Sequence, residues 1–140
     1  MNKADNNPDY KKIYDYICKE YKKTELFWQG CWDETFFSMR VYEFSKELSK
    51  KLKKKINIQA LLAASLLHDI GKIIIKDAEE SDNFNHYDIG EKMAKDYLKS
   101  AGHSEKFIQD VCYLIKNHAN RKLKNKSIEL QILQDADYLA

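Results

Sequence analysis

The segment Ile58–Ile70 constrains this chain more than any other stretch. Ile58, Ala60, Leu61, Leu62, Ala63, Ala64, Leu66 and Leu67 make it apolar nearly all round. A helix with no polar face belongs in the middle of a bundle. It ends at His68 and Asp69, and Gly71 then stands where a C′ residue would close it. A charged carboxylate buried at that point is costly unless it is paired or bound to a metal.

Around this segment the apolar residues recur at helical spacing. From Asp9 to Lys23 the repeat is Ile13, Tyr14, Ile17 and Tyr21. Thr24 to Trp32 is an aromatic-rich connector, and Asp33 is a good N-cap for a second helix. The stripe of that helix is Phe37, Val41, Phe44, Leu48 and Leu52, which is one face of an α-helix. Ile73, Ile74 and Ile75 are expected to form a buried loop, and residues 76–84 a polar one. A fourth helix is expected from Asn85 to Ala101, closed by Gly102. Ser104 caps a fifth, with Glu105 in its first turn and a stripe of Phe107, Ile108, Val111, Leu114, Ile115 and His118. Residues 119–126 read as a loop, and Ser127 opens a last helix carrying Ile128, Leu130, Ile132, Leu133 and Ala136. With 4 Gly and 1 Pro, long helices are favoured over a turn-rich β-fold. The expectation is a single all-α domain over residues 1–140, a bundle of five to seven helices. Residues 1–8 should fray, and the end at Ala140, just past Asp137, leaves a short last helix, as in a fragment or a short relative.

Charge and cysteines narrow the setting. Lys+Arg number 24 and Asp+Glu 22, which leaves no footprint for non-specific nucleic-acid binding. Lys50, Lys51, Lys53, Lys54 and Lys55 form the strong basic run, read as a solvated helix terminus where cations meet the negative dipole end. Cys18, Cys31 and Cys112 are odd in number and lack CxxC spacing, so neither a zinc ribbon nor a disulfide framework is supported. Unpaired thiols, a polar N-terminus and the lack of a run of ~20 apolar residues make the cytoplasm the expected location, with no membrane contact.

The chemistry concentrates in four histidines, His68, His86, His103 and His118. His68 and Asp69 are adjacent, and neighbours on a helix point about 100° apart. Both can reach one cation where the helix ends, and that is where the pair sits. Imidazole nitrogen with carboxylate oxygen suits Mn, Fe, Co, Ni or Zn better than Ca or Mg alone. Such a cation would acidify a water and neutralise charge on a phosphoryl oxygen. The plainer alternative is a polar pair that merely ends a core helix.

LLAASLLHDIGKI resembles the central motif of the HD superfamily of metal-dependent phosphohydrolases. HYDIGEKMAKDYL resembles the helix of its second histidine, VCYLIKNHA the next helix, and ILQDADYLA the closing D-A-D-x-L segment. The resemblance covers about residues 34–140. It implies an all-α bundle with one or two divalent metals, hydrolysing a phosphate ester, often in a nucleotide. Carried over by position, His68 and Asp69 match paired metal ligands and Asp137 the closing one, with Asp135 the less favoured acid. His86 and His118 match positions that bind a second metal or the substrate phosphate. Asp69 would hold the metal and orient the attacking water, and Lys72 would meet a phosphate as a point charge. His103 matches nothing. One position departs from the pattern: the family's first histidine, four residues before a core Val, is held here by Phe37 ahead of Val41. That would leave three ligands, with water or Glu34 to fill the gap. Two readings follow: an active phosphohydrolase, or a degenerate HD module that binds a nucleotide or protein partner without turnover.

Overall fold

The structure, a computed structural model, describes residues 8–23, 32–74 and 86–140, without the side chains at 32–34, 73, 74 and 86. Six α-helices and one 3₁₀ segment occur among the described residues: α1 (Tyr10–Lys22), α2 (Trp32–Lys51), α3 (Ile58–Leu67), the 3₁₀ segment (Ile70–Ile74), α4 (His86–Ser100), α5 (Glu105–Asn117) and α6 (Ile128–Leu139). The all-α bundle expected from the periodicity is what forms. Most of the connector 24–32, the polar loop 76–84, Ile75, Cys31 and the lead 1–7 lie outside the described residues. Pro8, counted with the fraying lead, is buried.

Helix starts follow the capping chemistry of the sequence. The side chains of Asp9, Asn57, Ser104 and Ser127 accept from the backbone N–H three residues on, at Lys12, Ala60, Phe107 and Leu130. Gly102 ends α4 with φ 89, its N–H bonding Lys99 O at 3.1 Å and that of His103 bonding Leu98 O at 3.1 Å. This pair of bonds is a Schellman closure, which a left-handed residue makes possible.

α3 is the central element, packed against α1, α2, α5 and α6, and Ala60 through Leu67 are all buried. Its end differs from expectation. The α-helix stops at Leu67, and Gly71 is not a left-handed C′ residue but a buried member of the 3₁₀ segment. The reason lies across the bundle. A Cβ on Gly90 would meet Gly71 N at 3.2 Å and Ile70 Cγ2 at 3.6 Å. Gly90 is there because α4 meets the backbone of the 3₁₀ segment at that point, with no room to spare for a Cβ. Ile73 and Ile74 continue that segment instead of forming a loop.

α2 begins at Trp32, so Asp33 lies inside the helix and is not its cap. Its buried face also differs from the expected stripe. Leu52 lies beyond the helix and is exposed, while Phe37, Phe44 and Leu48 are only half-buried. The fully covered positions are Thr35, Ser38, Val41 and Ser45. Small side chains let α2 approach α3 closely. The hydroxyls stay satisfied locally: Ser45 and Ser65 Oγ are 2.8 Å apart, and Ser65 donates to Leu61 O at 2.8 Å. The lysines from Lys50 to Lys55 are exposed at the far end of α2, as expected of a solvated terminus. No helix among the described residues is long and apolar enough to cross a membrane.

Candidate metal centre

Where α3 ends, three elements bring their polar groups to one point. His68 is fully buried and Asp69 nearly so, in the turn that follows Leu67. His118 is the C-cap of α5 and is buried. Asp137 comes from the last turns of α6, with a quarter of its side chain exposed. His68 Nε2 lies 3.3 Å from Asp69 Oδ2 and 3.4 Å from Asp137 Oδ1. His118 Nε2 lies 3.4 Å from Asp69 Oδ1, and Lys72 Nζ 3.2 Å from Asp69 Oδ2. Of the two acids in DAD, Asp137 lies against His68, while Asp135 is exposed.

Each imidazole is oriented by its other nitrogen. His68 Nδ1 donates to Ser65 O at 2.8 Å and His118 Nδ1 to Ile115 O at 2.7 Å. Both carbonyls belong to the last turn of a helix, where they have no intrahelical partner to lose. With Nδ1 committed, each ring turns its Nε2 to the site, the nitrogen through which it would bind a metal. His68 Nε2 is buried without a hydrogen-bond partner, so its contacts to the two carboxylates are ion-pair contacts, not aligned hydrogen bonds. Burial disfavours a charge on His68, but Asp69 and Asp137 outweigh that and push its pKa up to about 10. Burial likewise opposes the charge of Asp137, yet the imidazole of His68 holds its carboxyl below the usual value. The site thus concentrates negative charge around a nitrogen that lacks an aligned acceptor. Such a set fits a cation. His68, Asp69 and His118 each offer a ligand atom within 4.8 Å of the others.

Other expected residues stand as follows. His86 opens α4, but its side chain and that of Glu34 lie outside the described residues. Phe37 places its ring 5.9 Å from that of His68, tilted by 47°, with Arg40 5.6 Å above it. His103 stacks on Phe107 at 4.7 Å, away from the cluster.

Three residues that sequence reasoning did not single out support the cluster. Buried Gln134 donates from Nε2 to Asn117 O at 3.3 Å and Asn120 O at 3.1 Å, and accepts from Lys126 at 2.8 Å. It ties the turn carrying His118 to the helix carrying Asp137. The signal was its place three residues before Asp137, on the same helical face. Tyr87 sets its ring edge-on to His118 at 5.0 Å, and its hydroxyl pKa is raised by burial and then by Asp69. Buried Tyr21, read only as a core residue of α1, donates its hydroxyl to Asp69 O at 3.1 Å.

These features define a helical-bundle protein with a His–Asp–His cluster able to hold a metal ion. A model of the HD domain family matches residues 38–140, and the chain belongs to that family of metal-dependent phosphohydrolases. It is similar to the crystal structure of a predicted HD superfamily hydrolase from an uncultured Thermotogales bacterium, with a TM-score of 0.68 and 25% sequence identity. That similarity covers 92% of this chain and 66% of the other, so this chain spans a little under two thirds of its length. A comparison with curated proteins finds no match. The family match begins at Ser38, so α1, which supplies Tyr21, lies ahead of it.

Proposed function

We propose that this chain hydrolyses a small phosphate ester, a nucleotide or related compound, with a divalent metal held by His68, Asp69, His118 and Asp137. The observation that carries this reading is the convergence of two buried imidazoles and two carboxylates, with His68 Nε2 left without a hydrogen bond. A bound Mn, Fe, Co, Ni, Zn or Mg ion would supply positive charge for phosphoryl oxygens and make a nearby water more acidic. Asp69, facing His68, His118 and Lys72 at once, orients the attacking water through its carboxylate. Lys72, one-third exposed and 3.2 Å from Asp69, is placed to meet a phosphate oxygen as a point charge. Tyr87, at the start of α4, sets its ring edge-on to His118 and would line the site beside the substrate. The test is calorimetric titration of the metal-free protein with Mn²⁺, followed by release of phosphate from nucleoside monophosphates. Uptake of one ion or two with metal-dependent turnover is expected; no uptake at millimolar Mn²⁺ ends the reading.

A second reading rests on Phe37. Its ring stands beside His68 as an apolar wall, at the position where the resemblance to the family implies an imidazole. One missing donor weakens metal binding, which favours a module that binds a nucleotide or protein partner without turnover. Metal-independent nucleotide binding with no phosphate release would support it.

A further inference from the structure

We propose that Tyr21 is a positioning residue for Asp69, so that α1 sets the geometry of the metal centre from outside the elements that carry its ligands. The proposal rests on the metal-site reading above. Asp69 sits where the chain changes from α-helix to 3₁₀ segment, a junction that leaves carbonyls without helical partners. Its carbonyl takes two donors: the Lys72 N–H at 3.0 Å and the Tyr21 hydroxyl at 3.1 Å. The first bond lies within the turn and comes with the local conformation. The second crosses 48 residues and fixes the turn against α1.

The Tyr21 ring cannot follow a drifting carbonyl. It is 1% exposed and packed in the main core with Ile13 and Ile17, so its hydroxyl is a fixed point. Asp69 Oδ1 faces His118 and Oδ2 faces His68 and Lys72, which demands one rotation of the whole residue. Without the Tyr21 bond the turn would lose its tie to α1 and could rock about the chain axis, moving both oxygens together. Anchoring groups behind a metal ligand typically contribute 10- to 100-fold in affinity.

The test compares Tyr21→Phe with Ile17→Val, a control one turn away on the same buried face. Tyr21→Phe removes the donor and leaves the ring. Three quantities are read: Mn²⁺ affinity by calorimetry, the melting temperature, and the ¹³C carboxyl signal of Asp69 in the metal-free protein. The expected result is about 10-fold weaker Mn²⁺ binding and a displaced Asp69 signal in Tyr21→Phe. Ile17→Val should melt earlier with neither change. Affinity and signal unchanged in Tyr21→Phe, or lost equally in both variants, would overturn the proposal. If the parent protein takes up no Mn²⁺, the metal-site reading fails by itself and the Asp69 signal still decides. Displacement in Tyr21→Phe alone then supports positioning, and no displacement refutes it.

Discussion

The two ends of α3 handle polar groups in opposite ways. At its start, every group named has a partner. The Asn57 side chain caps Ala60 N–H at 3.2 Å and donates to Asp110 at 3.1 Å, and its backbone N–H bonds Glu129 at 2.7 Å. Asp110 is in turn paired with Lys106 at 2.8 Å. This network is open to solvent, and its chemistry is used up in holding three helices together. At the other end, fully buried His68 points an unsatisfied nitrogen at two carboxylates. Buried polar groups are normally hydrogen-bonded, so a buried nitrogen facing two carboxylates without an aligned bond makes this end of the helix the candidate for a ligand. The start of α3 is a joint, and its end is the candidate site.

The sharpest way to test that contrast is to remove the charge at the site while keeping its shape. Asp69→Asn should weaken Mn²⁺ binding by more than about 100-fold, beyond the loss typical of supporting residues. Phosphate release should fall with it, and far-ultraviolet dichroism should stay helical. Retained Mn²⁺ affinity by calorimetry would mean that the cluster is only a buried ion-pair network.

Phe37→His works in the other direction by adding a donor beside His68. Trading a half-buried aromatic ring for a polar one should cost the metal-free protein about 1–3 kcal/mol. Added Mn²⁺ should recover that loss by binding the folded state. Thermal melting of both proteins with and without Mn²⁺ should therefore show the larger metal-induced rise in Phe37→His. Equal rises would show that position 37 does not face the ion.

Protons should compete at the site end alone. The His68 pKa is raised from 6.5 to about 10 in the folded, metal-free protein. Its ion pair with Asp69 and Asp137 therefore stabilises fully below pH 6.5, and that contribution is lost as pH rises towards 10. The lowered pKa of Asp137 sets the acid limit, with stability lost as pH falls below its ordinary 3.8. Mn²⁺ affinity should run against the first trend and rise with pH, because the imidazolium must give up its proton to bind. Melting temperatures from pH 6 to 10, with and without Mn²⁺, would show the two curves separating. Parallel curves would contradict the assignment of His68 as a ligand.

The smallest effect belongs to the joint. Asn57→Ala should cost about 1 kcal/mol, the ordinary loss of an N-cap. Mn²⁺ affinity should not move. A fall in affinity would show that the two ends are coupled and break the comparison.

Much of this was legible before any coordinates. The caps at Ser104 and Ser127, the closure at Gly102 and the buried stripe of α5 all stood in local sequence, because each depends on neighbours three to five residues away. The HDIGK motif and its companions pointed to His68, Asp69, His118 and Asp137, which the fold gathers. The face of α2 misled, because an apolar stripe is read by hydrophobicity while its closest contact with α3 is made by Ser38, Ser45 and Thr35. Close approach selects for small size, and small hydroxylated side chains carry no hydropathy signal.

The sequence by itself therefore determined most of the elements: which stretches are helical, where several of them start, and that α3 must be enclosed. Periodicity and capping are properties of a few consecutive residues, and physics acts on them before the chain folds. Only the tertiary structure decided the meetings. It set Gly71 against Gly90, put the Tyr21 hydroxyl on Asp69 O, and let Gln134 tie the turn of His118 to the helix of Asp137. These contacts join residues 14 to 48 positions apart, and nothing local fixes such a pairing. It arises when the apolar faces close around α3 and leave each buried polar group to find whichever partner the packing has brought within reach.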